Sequence, residues 1–118
     1  MKHQKKGRKL HRKKDQRNAL LKSMGESLIL EGEIITTEAR AKELKRFIEK
    51  KISVAKKGGV QNIRNLRKYF SENASQKLVK EIVPALKEKN GGYTRITKIG
   101  SRKNDNAPMV KIEILKNH

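Results

Sequence analysis

Residues 93–115 read YTRITKIGSRKNDNAPMVKIEIL. The two ends of this stretch, 93–99 and 109–115, alternate apolar and polar residues and are rich in β-branched types, the pattern of half-buried strands. Val110, Ile112 and Ile114 fall on one face of the second run, with Lys111 and Glu113 on the other. Between the runs, 100–108 is polar and places Arg102 and Lys103 near its middle, which predicts a hairpin with a long basic loop. A sandwich or barrel needs more strands than the chain can offer beyond this pair, so the helical patterns upstream must supply the second layer.

Those patterns are read outward from the hairpin. Glu33-Ile34-Ile35-Thr36-Thr37 is a β-branched run suited to a short strand. Thr37 can cap the long helix that follows, with Glu38 favourable in its first turn. Ala41, Leu44, Ile48, Ile52 and Ala55 recur at steps of three or four and define one buried stripe; Lys56 and Lys57 suit the helix end, and Gly58-Gly59 stop it. Ile63, Leu66 and Phe70 give a short third helix. Asn73 can cap a fourth containing Leu78, Val79, Ile82 and Val83, which Pro84 breaks or kinks. At the other end, Asp15 can cap a first helix carrying Leu20, Leu21, Met24 and Leu28, running to about Leu30 before Gly32. Gly25 inside it is either a tolerated weak point or a place of close contact. The expected fold is α+β, a two-layer domain of order α-β-α-α-α-β-β with a small three-stranded mixed sheet packed against helices.

The first seventeen residues, MKHQKKGRKLHRKKDQR, differ from everything after them. They hold nine Lys or Arg against one acid, a formal +8, and Leu10 is their one internal sizeable hydrophobe. Such a segment cannot bury enough apolar surface to offset its ordering entropy, so in isolation it is expected to be disordered. The domain reading is therefore a basic extension over 1–14 and one α/β domain over 15–116. Leu, Ile, Val and Phe make up 28 of the 118 residues, enough for a modest core in that domain. The whole chain carries +19. Charge on this scale opposes compaction unless a counter-charged partner is present.

Several function classes fall away. No apolar run approaches the length of a membrane-spanning helix, and the basic arm lacks the apolar region of a signal peptide or the apolar face of an interfacial helix. There is no cysteine, and His3, His11 and His118 have no metal-ligand spacing, so neither a metal nor another cofactor is expected. No nucleophile–base set or phosphate-cradling glycine loop is present, which argues against an enzyme and a small-molecule substrate.

A polyanion remains, and nucleic acid is the leading choice. The expected RNA-facing residues are Lys2, His3, Lys5, Lys6, Arg8, Lys9, His11, Arg12, Lys13, Lys14 and Arg17 in the arm. In the hairpin they are Arg95, Lys98, Arg102 and Lys103. Arg64, Arg67 and Lys68 add charge on the third helix. Aromatic residues number four, Phe47, Tyr69, Phe70 and Tyr93, too few for the stacking platform of a single-strand binder. Backbone and shape recognition of folded RNA fits best; basic charge alone also fits a general, nucleoid-type nucleic-acid binding protein.

The order of motifs resembles the bacterial-type family of large-subunit ribosomal protein seventeen. The likeness runs through Met1-Lys2-His3, Gly7-Arg8-Lys9-Leu10, Arg17, Ala19, Met24 and Ser27-Leu28. It continues in Ile35-Thr36-Thr37, Ala41-Lys42-Glu43-Leu44, Gly91-Gly92-Tyr93-Thr94-Arg95-Ile96, Asp105-Asn106-Ala107-Pro108-Met109 and Ile112-Glu113. Lys14, Gln16 and Asn104 stand where the family often has Ser, His and Gly, and 59–77 matches loosely. The resemblance implies a cytoplasmic ribosomal location and binding to large-subunit ribosomal RNA near the outer end of the peptide exit tunnel. It implies contacts with neighbouring large-subunit proteins and a role in assembly. It also implies that the arm cations, Arg95, Arg102 and Lys103 face RNA, while Tyr93 and Asp105 shape the hairpin.

Overall fold

A computed structural model of the chain describes the backbone over residues 2–115 and the side chains over residues 13–115. The elements run α1 (Lys2–Glu31), β1 (Glu33–Thr37), α2 (Glu38–Lys57), α3 (Val60–Leu66) and α4 (Glu72–Lys77). A π-helical turn (Leu78–Ile82) joins α4 to the short α5 (Val83–Ala85), and β2 (Thr94–Ser101) and β3 (Pro108–Ile114) follow. The α+β class and its order are those expected.

The sheet has the order β1-β3-β2. Ile34 lies opposite Ile112 on one side of β3, and Ile96 lies opposite the same Ile112 on the other. Both pairings are antiparallel, which corrects the mixed sheet anticipated from sequence. The reason lies in where α2 ends. Lys56, in its last turn, donates to the Lys89 carbonyl and, at 3.3 Å, to the Tyr93 hydroxyl. The chain therefore enters β2 from the end of the sheet where β1 also starts, and β3 runs against both. The hairpin loop is also tighter than expected. A bulge at Ile99, with Lys98 opposite Val110 and Gly100 opposite Met109, lets β2 continue to Ser101. Gly100 takes φ 133°, a backbone region that L side chains rarely adopt.

The core sits between α2 and the sheet, with α1 and the α3–α5 segment closing the remaining sides. All five residues of the anticipated α2 stripe are buried, facing Val110, Ile112 and Ile114 of β3. Fully burying one such Leu or Ile side chain contributes about 1.5–3 kcal/mol, so this stripe and its sheet partners dominate the stability. Thr37 caps α2 as expected, its Oγ1 accepting from the Arg40 amide at 3.4 Å. Glu49, on the flank of α2, accepts from both the amide and the hydroxyl of Thr94 and fixes the helix to the start of β2.

Helix α1 departs from expectation at its beginning. It starts at Lys2, so Asp15 is interior rather than an N-cap, and the arm backbone continues the helix. Lys, Arg and Gln are good helix formers, and extending an existing helix needs no new nucleus. Its other end agrees: Gly32, at φ 87°, donates to the Leu28 carbonyl at 2.8 Å, and Lys77 Nζ donates to the Leu30 carbonyl at 2.6 Å. Gly25 is a place of close contact. A Cβ there would lie 3.0 Å from Phe47 Cε1 and 3.1 Å from Phe70 Cε1.

The α4 cap is Ser71, not Asn73. Its Oγ accepts from the Ala74 amide at 3.3 Å, while its own amide donates to Glu26 Oε1 of α1 at 2.6 Å. Starting at Glu72 turns Ala74, Ser75 and Leu78 into the core. The break expected at Pro84 appears one turn earlier. The Val83 amide reaches back to the Leu78 carbonyl, widening the turn so that the N–H missing from Pro84 is absorbed by a local π-helical step.

Candidate nucleic-acid interface

The loop at 102–107 is held by its own residues. The Arg102 amide donates to the Ala107 carbonyl at 2.9 Å, and the Asn106 amide donates to the Arg102 carbonyl at 2.8 Å. Asn106 takes φ 55°, a left-handed conformation that Asn tolerates better than most residues. The Arg102 side chain grips Asp105 through two parallel bonds, Nε to Oδ1 at 3.0 Å and Nη2 to Oδ2 at 2.7 Å, and Asp105 Oδ1 also accepts from the Ala107 amide. Asp105 shapes the hairpin. Tyr93 does so from inside, being buried at the start of the hairpin.

The Arg102 bonds hold the Asp105 carboxyl down, from an ordinary 3.8 to about 2. A carboxyl depressed in this way supports the loop fully above its ordinary range, and that support is lost as pH falls from about 4 toward 2. The Asn106 and Ala107 amide resonances should therefore shift together over that interval while core amides hold. Resonances unmoved down to pH 2 would contradict the loop geometry.

The four hairpin cations separate into two kinds. Arg95 donates through Nε and Nη2 to Glu113 Oε1, at 3.0 and 2.7 Å, and this bonding also lowers the Glu113 pKa. Arg95 and Arg102 are thus oriented by carboxylates and keep unused guanidinium N–H groups. Lys98 and Lys103 are exposed and, among the described residues, form no ion pair. In the arm, Lys13, Lys14 and Arg17 are exposed on α1. The expectations for Lys2, His3, Lys5, Lys6, Arg8, Lys9, His11 and Arg12 concern side chains outside the described residues. Arg64, Arg67 and Lys68 are exposed on and just after α3.

One grouping was not legible from sequence. Arg17 and Lys22 of α1 and Arg46, Lys50 and Lys51 of α2 converge on an open cleft of about 630 Å³, with Leu21, Phe47 and Tyr69 among its lining. Phe47, Tyr69 and Phe70 form a cluster with ring centroids 5.9–6.5 Å apart, Phe47 meeting the other two edge-to-face. The Lys51 ammonium lies 3.4 Å from the Tyr69 centroid and 5.3 Å from that of Phe47, and Lys22 lies 5.5 Å from Tyr69. Arg17 and Lys22 make one half of this cleft on α1, and Arg46, Lys50 and Lys51 make the other on α2. The crossing that joins the halves, set by Gly25, is a tertiary fact.

Among the described residues, no cluster of His, Asp or Glu could hold a metal ion, and no helix is long and apolar enough to cross a membrane.

Comparison with known proteins agrees with the motif reading. The ribosomal protein L17 family profile matches residues 20–115. A large ribosomal subunit protein bL17 from Carboxydothermus hydrogenoformans is 49% identical over 108 residues, covering 91% of this chain and 96% of its own. Its counterpart from Gemmatimonas aurantiaca is 46% identical over 116 residues, covering 98% of both chains, and that from Moorella thermoacetica is 47% identical over 109 residues, covering 92% of this chain and 97% of its own. With the profile spanning the helical layer and all three strands, and relatives matching along nearly their full length, the chain belongs to the ribosomal protein L17 family.

Proposed function

We propose that this structural constituent of the large ribosomal subunit, a non-enzymatic protein of the cytoplasmic ribosome, binds large-subunit ribosomal RNA through two basic extensions of its domain. One is the arm over 1–14 with Arg17; the other is the hairpin carrying Arg95, Lys98, Arg102 and Lys103. The observation that carries this reading is the hairpin as a whole: Glu113 aims Arg95 on β2, Asp105 aims Arg102 in the braced loop, and Lys98 and Lys103 are exposed and, among the described residues, form no ion pair. Exposed pairs of this kind contribute little to stability, so their use lies in aiming the guanidinium groups. Such groups contact phosphates and ribose by position and shape rather than by base sequence. The placement near the outer end of the peptide exit tunnel, beside neighbouring large-subunit proteins, rests on the family resemblance and belongs to the same proposal.

Competition separates this from general nucleic-acid coating. At physiological salt, large-subunit ribosomal RNA should displace a labelled ribosomal RNA fragment from the full chain at far lower concentration than duplex DNA of equal phosphate content. Equal displacement would favour the nucleoid-type alternative.

A further inference from the structure

We propose that the cleft between α1 and α2, which adjoins the arm at Arg17 and lies apart from the hairpin, is a further RNA-binding site that seats consecutive backbone phosphates of ribosomal RNA. The inference rests on the RNA-binding reading above and assigns it a third surface. Five cations, Arg17, Lys22, Arg46, Lys50 and Lys51, line the cleft against one acid, Glu43. Among the described residues none of the five forms an ion pair. The acids best placed along the same helices are engaged elsewhere: Glu26 accepts from the Ser71 amide and Glu49 from Thr94. The fold thus gathers five cations around the single carboxylate of Glu43 and ties Glu26 and Glu49 to other parts of the chain. Like charges gathered in this way repel until an anion neutralises them.

The aromatic cluster gives the site its order. Cation–π contact with Tyr69 and Phe47 holds Lys51 and Lys22 over ring faces. Ammonium groups fixed before binding lose less conformational freedom when a phosphate arrives. The same contacts cover the aromatic faces, so the cleft does not offer a base-stacking platform or an apolar socket for a protein side chain. Its open form, bounded by two helices, suits a polymer backbone passing along it. Lys51 and Lys22 are the ring-held positions, while Arg46 and Lys50 are exposed at the cleft edge and free to meet phosphates directly.

The test uses the full chain carrying Arg46→Gln and Lys50→Gln together, with a Lys80→Gln and Lys87→Gln chain as the charge-matched control on another exposed surface. Binding to a full-length large-subunit ribosomal RNA transcript is followed across a salt series. Two lost phosphate contacts should make the slope of log affinity against log salt shallower by about 1.5 and weaken binding by about 20-fold near 150 mM salt. The control should move by less than about threefold. All four side chains are exposed, and the far-UV circular dichroism of both variants should match the parent. If the cleft variant behaves like the control while Lys98→Gln with Lys103→Gln weakens binding, the cleft inference is overturned and the reading of the hairpin stands. If the cleft variant binds RNA normally yet fails to enter the large subunit, the occupant is a protein, and the inference is again overturned. Failure of the parent chain to prefer ribosomal RNA over duplex DNA would remove the reading on which the inference rests.

Discussion

Deletion of residues 1–14 is expected to weaken binding to large-subunit ribosomal RNA by about 10³-fold near 150 mM salt, while the melting temperature of the remaining domain changes little. The deletion removes eight Lys and Arg residues and no acid, taking the formal charge from +19 to +11. Each phosphate contact adds roughly 0.7–0.9 to the salt slope, so about five contacts from eight cations give an effect of this size. The domain should tolerate the loss because the core residues of α1, Leu28 and Ile29, lie far beyond the cut, as do Leu21 and Met24, which pack against that core. The ties from α1 to the rest of the chain, Glu26 to Ser71 and Leu30 to Lys77, are also retained. Binding is read by filter retention or fluorescence anisotropy, and folding by circular dichroism. A collapse of the melting temperature would show the arm to be part of the folding unit; unchanged affinity would show that it is not an RNA contact.

Replacing Gly25 with Leu is expected to cost about 2–3 kcal/mol and to lower the melting temperature by about 10–20 °C. Relative to Gly, a side chain in a helix interior gains about 1 kcal/mol of backbone propensity, so an unconstrained site would be stabilised. Here a Cβ already meets Phe47 and Phe70 at 3.0 and 3.1 Å, and a Leu places three further carbons where the two rings stand. Phe70 is buried and Phe47 half-buried, and both join Tyr69 in the ring cluster. Moving them disturbs the α1–α2 crossing and the positions of Lys22 and Lys51 together. Gly25→Ala makes the informative partner, because the rings need give by only a few tenths of an ångström and the propensity gain opposes that strain. It should remain within about 1 kcal/mol of the parent. A Leu variant as stable as the parent would mean that the helices do not cross at Gly25.

What the sequence disclosed follows from the range of each interaction. The α2 stripe, the Thr37 cap and the strand faces were legible because each depends on residues within a few positions of one another. Asp105 was legible as a shaper of the hairpin only through the family resemblance. Its pairing with Arg102, three residues away, comes from the structure. The central place of β3 was not legible, since the contact of Ile34 with Ile112 joins residues from opposite ends of the domain. Ser71 displaced Asn73 as the α4 cap because an α1 carboxylate meets its amide, a partner invisible to local capping rules. The start of α1 at Lys2 was not legible, because continuation of a helix depends on the turn that follows rather than on apolar residues within the arm. Four scattered aromatics likewise gave no sign that three of them meet, with Lys22 and Lys51 held over two of the rings.

In the proposed function this small α+β domain works by holding ribosomal RNA within the large subunit. Sedimentation of a cell lysate through a density gradient at moderate salt tests it most directly, with the chain followed by immunoblot in each fraction. The chain should migrate with the large-subunit peak and move to the top of the gradient as salt is raised, earlier for a chain lacking residues 1–14. A chain found only in the free pool at moderate salt, or with chromosomal DNA rather than the large subunit, would contradict it.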